Sequence, residues 1–478
     1  MSETPKPAGR GSLYSSLVTK SEPDVLTGRQ QIFLDKFISR YNSRRMKSKQ
    51  WMKRYRPVFS DWVNVVGYRQ SLKEIRYPIV CRRSSGSKIW DIDGNEYIDI
   101  AMGYGISFLG HNPEFVISAV ERQLKEGLQL GPQFELTGEV AELICELTGA
   151  ERAVFSNTGT EAVVASLRIA RAATGRYKVV LFEGSYHGHS DGIMVKKPNL
   201  PLAAGTPPGM VEDMVMLDYG SDEAVDTIRS MGDKLAAVLV EPCQTKKPGS
   251  HSETFLRKLR QVTTEIGAAL IFDEIVSGFR VHPGGAQGYF GIQADIATYG
   301  KTLGGGMPIG IIAGKAQFID AVDMGMWNYG DDSLPRKKTT IFAGTFCKHP
   351  LSVAAALEAL RYFKKKGTAL QEQVNRLTSD FANRMNEYFK ENHVPVEVKY
   401  FSSLFKFESY GKYALLLQPI ETDLLFYLMM EKGVYTWEMH NSFFSTAHTD
   451  ADIDRVIQIV KESVEELREG GFSFSSEK

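Results

Sequence analysis

The chain has 478 residues, a net charge of zero, 43% hydrophobic and 24% charged residues. That balance offers no basic surplus for neutralising phosphates, so nucleic acid is not an expected partner. The length implies two or three domains of ordinary globular composition, and no apolar run reaches the ~18 residues of a membrane span.

The N-terminal stretch MSETPKPAGRGSLYSS lacks the apolar centre of a signal peptide, so a cytoplasmic location is expected. The first ~20 residues are rich in Ser, Pro, Gly and Lys and read as disordered. Residues 1–60 carry thirteen Lys and Arg against four Asp and Glu, a local asymmetry in a neutral chain. Within them Ile32, Phe33, Phe37, Ile38 and Tyr41 recur at helical spacing. They predict a basic amphipathic helix, either packed on its own protein or offering a docking face.

Residues 61–134 open the body of the chain. Lys88–Ile100 reads as a β-hairpin around Asp93-Gly94. From about 135 to 345, helical patterns alternate with apolar runs at 153–157, 178–184, 236–242, 268–274, 295–301 and 309–314. Such runs predict an α/β domain whose mostly parallel sheet is covered on both faces. Residues 346–478 mix helices with a few strands and read as a smaller α/β lobe.

In an open parallel sheet, ligands bind beyond the carboxyl ends of the strands. The run at 153–157 leads to Thr158-Gly159-Thr160 and a helix from about Glu161 to Thr174. Free N–H groups and the positive helix end there suit a phosphate, while Thr160 also suits a plain N-cap. Tyr186, His187 and His189 stand at the tip of the next strand, where Tyr186 can present a flat ring. Asp273 ends an apolar run and needs a cationic or hydrogen-bonding partner, and a salt bridge to Arg280 would serve. Lys301 follows another apolar run and precedes a glycine cluster, so it is either a reactive amine or the partner of an acid. The four cysteines, Cys81, Cys145, Cys243 and Cys347, form no C-x-x-C pair, so neither a disulfide framework nor a metal site is expected. A phosphate cradle, an aromatic plate, a buried acid and an amine jointly suit pyridoxal phosphate.

The stretches SNTGTEAVVASLRIARAATGR, SYHGHSDG, LIFDEIVSGFR, ATYGKTLGGGMPIG and FAGTFCKHPLSVAA resemble the class-III aminotransferases, which are fold-type I pyridoxal phosphate enzymes. Among them the chain is similar to glutamate-1-semialdehyde aminomutase. KEIRYPIVCRRSSGSKIWDIDGNEYIDIAMGYG, YGDDSLP and SFFSTAHTDADID are similar to the aminotransferase domains of hybrid polyketide–nonribosomal peptide synthases. The resemblance implies a seven-stranded, mostly parallel sheet in a large domain, with a smaller α/β domain built from both chain ends. It assigns Lys301 to holding the cofactor and moving the proton, and Asp273 to the ring nitrogen. Tyr186 and Ile275 would cover the two ring faces. Thr158, Gly159 and Thr160 would bind phosphate, and Thr345 would reach the partner subunit's phosphate in a homodimer with shared active sites. Gln244 would meet the ring hydroxyl and Tyr104 the substrate. The region NSFFSTAHTDAD lacks the arginine with which many family members grip a substrate carboxylate. The expected reaction is therefore transfer from an amino acid donor to a carbonyl of an acyl chain, such as a β-keto thioester on an acyl carrier protein. Intramolecular amine transfer of the aminomutase kind is the alternative, and a cofactor-binding scaffold without catalysis is a third.

Overall fold

The structure is a computed structural model of the whole chain. It describes residues 20, 22–61, 67–195, 203–411, 419–437 and 441–474. The segment expected to be disordered at the N-terminus falls almost entirely outside them. The chain forms two compact units, Met1–Tyr104 with Arg376–Tyr400 and Leu404–Lys478, and Gly105–Asn375 with Phe401–Ser403.

In the first unit, helix Gly28–Arg44 starts at a capping box formed by Thr27 and Gln30. Phe37 and Tyr41 of the predicted stripe are buried together with Leu34; Phe33 and Ile38 are half-buried, and only Ile32, 58% exposed, falls outside it. Its arginines pair within the unit. Arg44 lies 3.0 Å from Glu431, and Arg40 pairs with Glu431 and Glu466. Arg45 is fully buried over the Tyr41 ring and donates to the Tyr97 hydroxyl at 3.0 Å. The helix is thus fastened to its own unit, the first of the two expected alternatives. Strands β1 (Cys81–Ser85), β2 (Lys88–Asp91) and β3 (Glu96–Asp99) form a meander, and Val434–Tyr435 adds to β3 in parallel. The β2–β3 turn contains Gly94 at φ +95°, a conformation that favours glycine.

The second unit is built on a seven-stranded sheet. Its strands are β4 (Arg152–Ser156), β5 (Lys178–Phe182), β6 (Met214–Leu217), β7 (Leu235–Val240), β8 (Ala269–Glu274), β9 (Ile296–Gly300) and β10 (Gly310–Gly314). Their order is β4-β10-β9-β8-β7-β5-β6, with β10 alone running against its neighbours. Every residue of β7, β8 and β9 is buried, which is why they read as unbroken apolar runs. The edge strand β6 is mostly half-buried, although its residues Met214–Leu217 form a short apolar run. Helix Gly159–Thr174 packs on this sheet through Ala162, Val163, Ala165, Ile169 and Ala170.

Helix Pro350–Lys366 also belongs to this unit, packed on helices Glu114–Glu126 and Leu136–Thr148. The unit boundaries therefore fall at Tyr104/Gly105 and Asn375/Arg376 instead of 134/135 and 345/346. The reason is burial: four alanines and five larger apolar or proline residues of that helix are buried, so most of its surface faces the interior of this unit.

After β8 the chain turns sharply through Gly278. A Cβ there would stand 2.6 Å from the Glu274 carbonyl oxygen and 2.7 Å from Cδ1 of the buried Tyr299 ring. Neither atom can retreat. Gly278→Ala is expected to destabilise the protein by about 1–3 kcal/mol, read as a lower denaturant midpoint at unchanged slope.

Candidate active site

Because β4, β5, β7, β8 and β9 share one direction, their carboxyl ends lie along one edge of the sheet. The residues that follow them are Thr158, Tyr186 with His187, Glu241, Asp273 and Lys301. In register, Val240 faces Phe272 and Asp273 faces Thr298, so the acids ending β7 and β8 are neighbours.

Asp273 is 5% exposed. One carboxylate oxygen lies 2.8 Å from Nδ1 of His187. The other accepts from the Ile275 backbone at 3.1 Å and lies 3.4 Å from the Thr298 hydroxyl. Histidine, not Arg280, is thus its partner. Arg280 donates instead to the Gly105 carbonyl, to Ser403 at 2.9 Å and to Thr302 at 3.3 Å. The far nitrogen of His187, Nε2, is buried without a hydrogen-bond partner. The adjacent Glu274 points the other way, as alternation along a strand requires. Its oxygens accept from Ala286, Gln287 and Ser277, and burial pushes its pKa up to about 7.

Glu241 accepts from the Tyr186 backbone at 2.9 Å and from Thr245. Burial raises its pKa, His187 opposes that rise, and the nearby Asp273 adds to it. Tyr186 itself is half-exposed, with the Lys246 ammonium 5.7 Å from its ring centroid. Gln244 donates to the Glu183 carbonyl at 2.7 Å and to the Ser185 hydroxyl at 3.0 Å, so its amide supports the loop that carries Tyr186.

Helix Gly159–Thr174 is capped by Thr158, which has extended backbone and whose hydroxyl accepts the Glu161 N–H. The cap is therefore Thr158 and not Thr160. Thr160 lies in the first turn with its hydroxyl 3.4 Å from Nδ1 of His189. Ile275 fills the space above two glycines. A Cβ on Gly159 would stand 3.0 Å from its Cγ2, and one on Gly300 would stand 3.2 Å from its Cδ1.

Lys301 has φ +44°, uncommon for a residue with a side chain. Burial of its ammonium, and secondarily the Arg280 charge, push its pKa down to about 8 against the pull of Asp273 and Glu241. Among the described residues no carboxylate forms an ion pair with it, so the paired-lysine alternative does not hold.

Two further predicted site residues lie on other parts of the chain. Thr345 is exposed on the stretch between Ile319 and Pro350, which has neither helix nor strand, and bonds none of these groups. Tyr104 belongs to the first unit, at φ +58°, with its ring 5.0 Å from Trp437. Glu241 was missed as a site residue, although it ends the apolar run LAAVLV just as Asp273 ends its own. The His187–Asp273 contact spans strands that are not neighbours and leaves no local signal. Among the described residues no cluster of His, Cys, Asp and Glu could hold a metal ion, and no helix is long and apolar enough to cross a membrane.

The family model for class-III aminotransferases matches residues 70–464. A glutamate-1-semialdehyde 2,1-aminomutase of Chloroflexus aggregans is 35% identical over 417 residues, 82% of this chain and 91% of that protein. The protein of the same name from Archaeoglobus fulgidus is 35% identical over 404 residues, 81% of this chain and 93% of its own. Among solved structures, an omega-transaminase from Sphaerobacter thermophilus superposes with a TM-score of 0.77 at 26% identity, covering 88% of this chain and 98% of its own. A β-phenylalanine aminotransferase from Variovorax paradoxus gives 0.76 at 27% identity, covering 92% and 98%.

The site suits the cofactor of that family. A buried acid braced by a histidine, a lysine with a depressed pKa and a capped helix start all open on one sheet edge. The sheet topology, the matched span and these groups agree: the chain belongs to the class-III aminotransferases and is a fold-type I, pyridoxal phosphate-dependent enzyme.

Proposed function

We propose that the enzyme moves an amine from an amino acid donor to a carbonyl of an acyl chain. The observation that carries the reading is the placement of Asp273 and Lys301 at the ends of adjacent parallel strands. Bound pyridoxal phosphate supplies an aldehyde and an electron-withdrawing ring. Asp273 is the group to meet the ring nitrogen, and His187 keeps that carboxylate oriented. Tyr186 and Ile275 offer surfaces for the two ring faces. The N–H groups of Gly159 and Thr160, free at the helix start, suit the phosphate, with Thr158 holding the turn. Lys301 would hold the cofactor through its amine and would carry the substrate proton. Gln244 acts through the Tyr186 loop.

Thr345 would complete a second subunit's phosphate site in a homodimer. Support for that comes from Trp327, Tyr329, Leu334, Ile341 and Phe346, apolar side chains exposed on the stretch around Thr345. Tyr104 is kept as a substrate contact on the strength of the family resemblance.

The acceptor we favour is a β-keto thioester on a carrier protein. The lack of an arginine in NSFFSTAHTDAD supports an acceptor without a free carboxylate. The first helix no longer supports it, because Arg40, Arg44 and Arg45 bind their own unit. The exposed cations Lys47, Lys53, Arg54 and Arg56 form no ion pair among the described residues and suit an acidic partner. The second reading is intramolecular amine transfer, which the names of the 35% identical relatives favour.

Lys301→Ala is expected to lower turnover by about 10²–10⁴-fold or more and to abolish the visible band of lysine-bound cofactor. A variant with both properties intact would sink the enzyme reading. The Lys301 amine should also titrate near pH 8. Its protonated form is disfavoured in the folded protein, so folding carries a penalty below that pH that disappears as pH rises from about 8 towards 10.5. In enzyme stripped of its cofactor, amine-selective labelling followed by peptide mass spectrometry should show Lys301 half-maximally reactive near pH 8, well before exposed lysines.

Substrate assays separate the two readings. Transfer to a carrier-loaded β-keto chain should require an added amino acid donor, and Lys53→Glu with Arg54→Glu should raise the KM for carrier-bound but not free acceptor. Donor-free conversion of glutamate-1-semialdehyde would select the aminomutase reading instead.

A further inference from the structure

An amino acid donor brings a carboxylate to the site as well as an amine, and a carboxylate leaving water needs a charged or hydrogen-bonding partner. The carboxyl ends of β4 to β9 are followed by residues 157–158, 183–195, 218–221, 241–252, 275–284 and 301–309. Among the described residues, the lysines and arginines on these stretches are Lys246, Lys247, Arg280 and Lys301. Lys301 is the amine. Arg280 is fully buried, and its guanidinium donates to the Gly105 carbonyl and to the hydroxyls of Ser403 and Thr302. The two lysines after β7 remain.

Lys246 is half-buried, with its ammonium 5.7 Å from the centroid of the Tyr186 ring, within the range of cation–π attraction. The backbone on either side of it is fixed. The Thr245 N–H and hydroxyl both donate to Glu241, which also accepts the Tyr186 N–H. The Lys247 N–H donates to the Gln244 carbonyl at 2.9 Å, while the Gln244 amide holds the Glu183 carbonyl and the Ser185 hydroxyl. Lys246 therefore stands on a short segment tied at several points to the loop that carries Tyr186. Lys247 is exposed, and its Cε lies 3.4 Å from where a Cβ on Gly184 would be, so its stem follows the same loop.

We propose that Lys246 is a specificity-determining residue that binds the α-carboxylate of the amino acid donor. This rests on the reading of the chain as an enzyme that takes its amine from an amino acid. With a thioester acceptor, such an enzyme must hold a carboxylate in one half of its cycle and none in the other. A guanidinium pinned by hydrogen bonds, as Arg280 is, cannot meet both demands. A lysine can, because its flexible stem moves a compact charge. The Tyr186 ring gives the ammonium a resting place when no carboxylate is bound.

The test uses holoenzyme, parent and variants, and follows the bleaching of the visible band of lysine-bound cofactor. Each common protein amino acid is tried on the parent, and the fastest is compared with its decarboxylated amine, read as donor or as competitor. Lys246→Met, which keeps the stem, should raise the half-saturating concentration of the amino acid about tenfold or more and leave that of the amine unchanged. Lys246→Arg, which keeps the charge, should recover most of the loss. A Lys246→Met enzyme that takes the amino acid as the parent does, or that weakens amino acid and amine by the same factor, overturns the proposal. If that variant does not bind cofactor, Lys246→Gln is measured in the same way, and loss of cofactor in both neutral variants makes the role structural and overturns the proposal too. A parent whose band no amino acid bleaches would mean instead that the amino acid donor reading itself had failed.

Discussion

Two carboxylates removed from water end neighbouring strands, and most of the site answers to them. Charge in such a place persists only where donors surround it. Asp273 has an imidazole, a hydroxyl and a backbone N–H. Glu241 has two backbone N–H groups and a hydroxyl, and those donors come from the loop bearing Tyr186 and from Thr245. Satisfying the acids thus fixes the loops. The aromatic ring is placed as a consequence of electrostatics in the strand-end layer, and Gln244 secures the same loop from behind.

The acids also frame the amine. With Asp273 and Glu241 nearby, an ordinary lysine would stay protonated. Burial and the Arg280 cation outweigh them, so the net effect on Lys301 is a lowered affinity for protons. The site balances opposing fields in place of a single salt bridge, and a balance of that kind leaves an amine able to change charge near neutral pH.

Much of this arrangement was legible in the sequence, and what was not has identifiable causes. The apolar runs before Asp273 and Lys301 marked buried strands because both sheet faces are covered there. Edge strand β6 escaped because its apolar run, Met214–Leu217, is only four residues long. Thr158 and Thr160 flank the same glycine and both are good caps, so only the backbone conformation separates them. The basic N-terminus showed its charge but not its partners, since Glu431 and Glu466 lie near the far end of the chain. The His187–Asp273 bond joins residues 86 positions apart, which no local pattern encodes.

The first unit draws its parts from widely separated stretches of chain. The β1–β3 meander receives its fourth strand from Val434–Tyr435, and Arg45 rests on the Met430 carbonyl. During synthesis the N-terminal hundred residues must therefore wait, with one β edge uncovered and Arg45 short of the Met430 carbonyl, until nearly the whole polypeptide has left the ribosome. Non-local pairing of this sort slows folding and leaves early segments open to association with other nascent chains. The central sheet draws its strands from one continuous stretch of sequence and can close before the C-terminus arrives to complete the first unit.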